Sequence, residues 1–456
     1  MLWGDRGMRK KKLIAITMLG ILMMTMMSAC AGTADNGDKD GASCMAVVMG
    51  CDWGPVVTKA VIAVPGALDK TQTISADMFD VSEKIKNGSF KSTDKREVTD
   101  AYFSDGNGNR LDSGTDGRIG HVTLEMRCFP DKNSLLFDDD SQIASKWVKK
   151  YELTVKMQKG KQLLLEDKKK VSPSVTAGFE NEPDREVFVF PEVEKTDTKG
   201  VFTGKEGNKL TYASYAPSNA SESNRRPLVI WLHGAGERGT DPMITIYGNK
   251  VVALMGDEFQ TIMDGAYILA PQTTLFWKVN ENGKYMDNEN PGDHSLYLHD
   301  LKELIDQYVD SNYIDKDRII VGGCSNGGFM TLDLLIHYPD YFAAAYPICE
   351  IYEPELISDE ELKAIKDIPM WFVYAKNDQT VVPSKYEEPL LGRLKAADAK
   401  EIRVSVFEDV HDTTVNADGS GSPYQYLGHF SWIYFFNNEC RDGGQTLWNW
   451  MSEQKK

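Results

Sequence analysis

The sequence predicts two folded domains in series: an all-β sandwich, then an α/β domain built on a mostly parallel sheet. Three observations predict this. The chain has 456 residues, too many for one ordinary domain. From about Cys44 to Glu186 it runs in short alternating segments cut by glycine-rich turns, with no long helical period. After Phe190 buried strands alternate with amphipathic helical segments. The expected division is 1–29 for an export signal, 30–43 for a flexible tether, 44–186 for the sandwich and 187–456 for the α/β domain.

Hydrophobic residues make up 41% of the chain, with 9 Trp, 19 Tyr and 18 Phe. That is ample material for packed cores. The formal net charge of -17 argues against nucleic acid as a partner, because phosphate backbones select basic surfaces. At the N-terminus, "MRKKK" (Met8 to Lys12) is a basic n-region and Leu13 to Met27 an apolar h-region. Together they read as an export signal too short for a comfortable membrane span. The small residues Ser28 and Ala29 before Cys30 resemble a bacterial lipobox, with Met27 where Leu is more usual. Cys30 is therefore expected to carry a lipid anchor at the outer face of the cell membrane, with plain secretion as the alternative. Cys349 and Cys440 are either a bridge or two buried thiols. No CxxC or HExxH spacing occurs, so no metal site is expected.

In the first domain, Pro55 to Val64, Arg96 to Asp105, Gly120 to Phe129 and Tyr151 to Gln158 read as strands. The cluster "SDGNGNRLDSGTDG" reads as a turn. Arg110 stands at its sixth loop position, where a calcium loop needs Gly. In the second domain, Leu210 to Pro217, Pro227 to Gly234 and Ala266 to Gln272 read as strands. Leu301, Leu304, Ile305, Tyr308 and Val309 then fall at helical spacing. "RIIVGG" is a strand, "GGFMTLDLLIHYP" a helix, and "FAAAYPIC", "IPMWFVYA" and "EIRVSVFE" supply three more strands.

Between that strand and that helix, Gly323-Cys324-Ser325-Asn326-Gly327 is G-x-S-x-G. This context points to a nucleophile elbow, a strained turn that lifts the serine hydroxyl above the sheet. A serine needs a base. His411 and His429 both follow the last predicted strand, and His429, just before the aromatic segment "WIYFF", is favoured. The acid that orients it is expected to be Asp378, in "YAKND" just past a strand, with Glu350 as the competitor. "LHGAGERG" closes another strand. The backbone N–H of Ala235 or Gly236, together with that of Asn326, would form an oxyanion hole. Glu237 and Arg238 are expected to brace that loop through local ion pairs rather than act on substrate. Trp277, in a loop after a strand, is expected on the rim as a substrate-binding aromatic, with burial in the core as the alternative; Trp432 is expected to pack beneath His429.

HGAGERG, GCSNGG, AKND and GHFSW together resemble the α/β-hydrolase superfamily. More narrowly they are similar to bacterial esterases related to polyhydroxybutyrate depolymerases and prolyl oligopeptidase-like hydrolases. Some of those esterases carry an N-terminal immunoglobulin-like domain, which "DWGPVVTKAVIAV" resembles. The resemblance implies a triad of Ser325, Asp378 and His429, no cofactor, and an ester substrate: a small ester, a feruloyl or acetyl group on polysaccharide, or a polyester. A serine peptidase with the same triad is the first alternative, although the N-terminal region shows no blade-like repeat. A surface binding protein with a vestigial hydrolase domain is the second.

Overall fold

In the structure, a computed structural model, described residues run from 41 to 456 except 113, 131, 140–142, 288 and 414–421. The proposed export signal, Cys30 and nearly all of the tether lie outside the described residues. Among the described residues no helix is long and apolar enough to cross a membrane.

Two sheets form the sandwich, antiparallel throughout except that Phe188–Val189 joins Ser43–Cys51 in parallel. One has the order Phe188–Val189, Ser43–Cys51, Gly54–Ala63, His121–Met126, Val98–Ser104. The other runs Ser174–Glu180, Lys150–Met157, Phe79–Asn87, Phe90–Arg96. All four strands read from the sequence are present. The expected turn is there too: Asp105 Oδ1 accepts the N–H groups of Asn107 and Asn109, each at 2.9 Å. Apolar side chains alternate inward, but one inward position holds Glu83. It is fully buried, paired with Arg96 at 2.8 Å, and accepts the Tyr151 hydroxyl at 2.6 Å. Arg96 also donates to the Val57 carbonyl at 3.0 Å, tying the two sheets together. Such a pair is costly to break because it leaves a buried charge.

The second domain is an eight-stranded sheet in the order Thr196–Thr203, Lys209–Tyr215, Tyr267–Gln272, Arg226–Leu232, Ile314–Cys324, Ala344–Ile348, Met370–Ala375, Ile402–Phe407. From Tyr267–Gln272 onward, neighbouring strands pair in parallel. The pleat sends Leu228, Ile230 and Leu232 to one face, against the helices Leu298–Ser311 and Asn326–His337. Val229 and Trp231 go to the other. There Trp231 stacks on Phe435 of the aromatic helix Trp432–Phe436, with ring centroids 5.9 Å apart. Parallel strands covered on both faces explain the unbroken apolar runs. Of the predicted helical face, Leu301, Leu304, Ile305 and Val309 are buried. Cys349 and Cys440 are buried free thiols rather than a bridge.

Candidate active site

The strand Ile314–Cys324 ends at Cys324, and the helix Asn326–His337 starts one residue later. Ser325 alone makes the corner, at φ 54° and ψ -114°. A non-glycine residue rarely holds a positive φ, and such strain gathers at functional sites. The corner is locked from two sides. The Ser325 N–H donates to the Ile348 carbonyl at 2.8 Å. A Cβ on Gly327 or Gly323 would collide with the Leu232 carbonyl oxygen of the neighbouring strand. Glycine there allows the elbow helix to close on the sheet. Cys324 is fully buried, and burial pushes its thiol far above the usual range. It is no nucleophile.

Asp378 follows the strand Met370–Ala375 and is 1% exposed. Its Oδ1 accepts the N–H groups of Thr380 at 2.8 Å and Val381 at 2.9 Å. Its Oδ2 lies 2.7 Å from His429 Nδ1. The imidazole is therefore held with Nδ1–H donating to Asp378, which leaves Nε2 as the acceptor. Trp432 meets its ring edge to face, with centroids 5.6 Å apart. His411 has a separate local partner, Asp409, at 2.7 Å. Glu350 is fully buried and accepts the Tyr352 N–H at 2.6 Å; burial raises its carboxyl well above the usual range.

Ser325, Asn326, Ala235, Gly236 and His429 all line one cavity of about 1380 Å³. The loop Gly234 to Asp241 forms part of its wall and is held by the sandwich. A hairpin, Leu136–Asp139 with Ala144–Trp147, reaches across to it. The Ser145 N–H donates to the Gly236 carbonyl at 2.7 Å. Arg238 donates to the Ile143 carbonyl at 3.0 Å and covers the Phe276 ring. Trp147 Nε1 donates to Asp241 Oδ2 at 2.7 Å, while Asp241 Oδ1 caps the next helix through the Met243 N–H at 3.0 Å. Arg238 thus ties the loop to the other domain through a backbone carbonyl, where the sequence predicts a local ion pair.

Trp277 requires a correction. Its indole is not on the rim: it is fully buried, donates to the His233 carbonyl at 3.1 Å, and packs edge to face on Tyr297. The chain turns back into the core after the strand, because the buried N–H of the indole finds a carbonyl there. The Trp277 backbone N–H instead donates to Asn326 Oδ1 at 2.5 Å, fixing the first residue of the elbow helix. Sequence reasoning also missed the sandwich residues on the cavity wall, among them Trp53, Phe90 and Phe137. Turn-rich spacing does not show which hairpin crosses to another domain.

This fold and this corner define an α/β-hydrolase-fold protein preceded by an immunoglobulin-like sandwich. Residues 43–168 match the family described as the esterase Ig-like N-terminal domain, and residues 285–409 match the prolyl oligopeptidase family. A solved structure titled as a thermostable esterase superposes with a TM-score of 0.71 at 24% identity, covering 91% of this chain and 99% of that one. The chain is 31% identical over 143 residues to a poly(3-hydroxybutyrate) depolymerase of Ralstonia pickettii, which is 30% of this chain and 28% of that protein. It is 29% identical over 135 residues to poly(3-hydroxyalkanoate) depolymerase C of Paucimonas lemoignei, 29% of this chain and 28% of that protein. The match thus spans under a third of either depolymerase.

Proposed function

We propose that this protein is a serine carboxylic-ester hydrolase working through an acyl-enzyme. Ser325 Oγ attacks the ester carbonyl as His429 Nε2 takes its proton. Asp378 orients the imidazole and stabilises its protonated form. The backbone N–H groups of Asn326 and of Ala235 or Gly236 receive the oxyanion. His429 then protonates the departing alkoxide, and the acyl group remains on Ser325. A water gives its proton to His429 and attacks that acyl carbon; the bond to Ser325 Oγ breaks as His429 returns the proton to that oxygen, which releases the acid and restores the serine. The observation that carries the reading is a strained serine sharing one cavity with a histidine already held by a buried aspartate. The export signal and the Cys30 anchor belong to the same proposal and would place the reaction outside the cell.

Ser325→Ala should lower turnover of p-nitrophenyl acetate by about 10⁶ relative to wild type. Full activity in the variant would sink the triad. The prolyl oligopeptidase match gives the peptidase reading a direct test: peptide p-nitroanilides cleaved faster than esters would replace ester with amide.

A further inference from the structure

The cavity that holds Ser325 and His429 is closed partly by the sandwich. Phe90, Phe137 and Ile143 come from that domain, and Tyr285 and Leu427 from the hydrolase domain. These five are exposed by 51, 37, 57, 40 and 65%. Single exposed apolar side chains are ordinary. Five of them gathered on one concave site, from two domains, mark a surface that expects apolar contact. More deeply buried rings back them, Trp53 on one side and Phe430 and Trp432 on the other. The volume of about 1380 Å³ exceeds the roughly 300–1,000 Å³ of ordinary small-ligand sites. An acetyl ester would leave most of that wall unused.

We propose that the sandwich is one jaw of the substrate site, and that the site selects esters carrying a large apolar group over small esters. This rests on the hydrolase reading above. Phe90 and Phe137 are its specificity-determining residues in the sandwich. They act on binding of the apolar group and not on the bond-breaking steps, which belong to Ser325 and His429.

The test compares p-nitrophenyl octanoate with p-nitrophenyl acetate in wild type and in the double variant Phe90→Ser/Phe137→Ser. Both side chains lie at the surface, Phe90 51% and Phe137 37% exposed, so the fold should survive. Val201→Ser, exposed by 56% and outside the cavity, is the control. The double variant should lose about tenfold or more in kcat/KM on the octanoate and stay within about twofold on the acetate. Equal losses on both esters, or none on either, overturn the proposal while leaving the hydrolase reading intact. Should wild type hydrolyse neither ester, the hydrolase reading fails. Calorimetric binding of the octanoate to Ser325→Ala then decides the jaw. Affinity lowered about tenfold by the two serine substitutions upholds it, and unchanged affinity removes it.

Discussion

Asp378 makes three hydrogen bonds with two oxygens, and that arrangement fixes the tautomer of His429. Oδ1 is committed to the N–H groups of Thr380 and Val381, so only Oδ2 is left for the imidazole. In Asp378→Asn the amide oxygen keeps the two backbone bonds and the NH₂ takes the place of Oδ2. A donor then faces Nδ1, the ring must carry its proton on Nε2, and it no longer accepts from Ser325. Turnover of p-nitrophenyl acetate should fall by about 10⁴ with the fold and KM nearly unchanged. Steady-state kinetics beside a far-UV spectrum measures this. A loss under about tenfold would mean that another group orients the histidine.

The hairpin Leu136–Asp139 and Ala144–Trp147 connects the sandwich to the loop that would carry the oxyanion donors. Trp147, at the end of the hairpin away from its turn, bonds the carboxylate that caps the helix Pro242–Gly248. Trp147→Phe keeps most of the ring and removes that one hydrogen bond. If the loop drifts, kcat on p-nitrophenyl acetate should fall about tenfold while KM stays within about twofold, since misplaced groups cost rate more than affinity. A change in KM alone would assign the hairpin to substrate binding only. None of this was legible in the sequence. The elbow was, because strand, glycines, serine and helix are contiguous and each obeys a local rule. Asp378 and His429, the proposed acid and base, were singled out by chain order and by the strand each follows, and the structure brings the two side chains within 2.7 Å. The strand Phe79–Asn87 was missed because Glu83 occupies an inward position in "FDVSEKIKN" and breaks the apolar alternation. Its partner Arg96 lies on the next strand of the sheet. Trp277 was misplaced because the path of a loop depends on what covers it, here Tyr297 and His233.

At the scale of the whole molecule the two domains share one core: Val48 of the sandwich and Tyr247, Val252 and Trp231 of the hydrolase domain belong to the same buried cluster. Asp52 pairs with Lys250 at 2.8 Å, and Glu192 accepts the Gly50 N–H at 2.7 Å, across the same boundary. The stability of that shared core sets the pH range in which any site on it survives, and His233 sets part of the acid limit. Its ring is fully buried beside the cavity loop, with Nδ1–H donating to the Gly234 carbonyl at 2.6 Å and Nε2 accepting the Thr273 N–H at 3.2 Å. A second ring proton would point at a donor in a dry site, so burial pushes its pKa from 6.5 down to about 4. Between those two values the unfolded chain binds a proton that the folded chain refuses. Stability therefore rises with pH across that window and falls toward acid, by up to about 1.4 kcal/mol per pH unit from this one group. Urea midpoints between pH 4 and 7 should show the slope. His233→Gln loses ring packing and should be less stable than wild type at pH 7, yet its midpoint should change less between pH 6.5 and 4. An identical slope in the variant would move the acid limit to another group and leave His233 a packing residue alone.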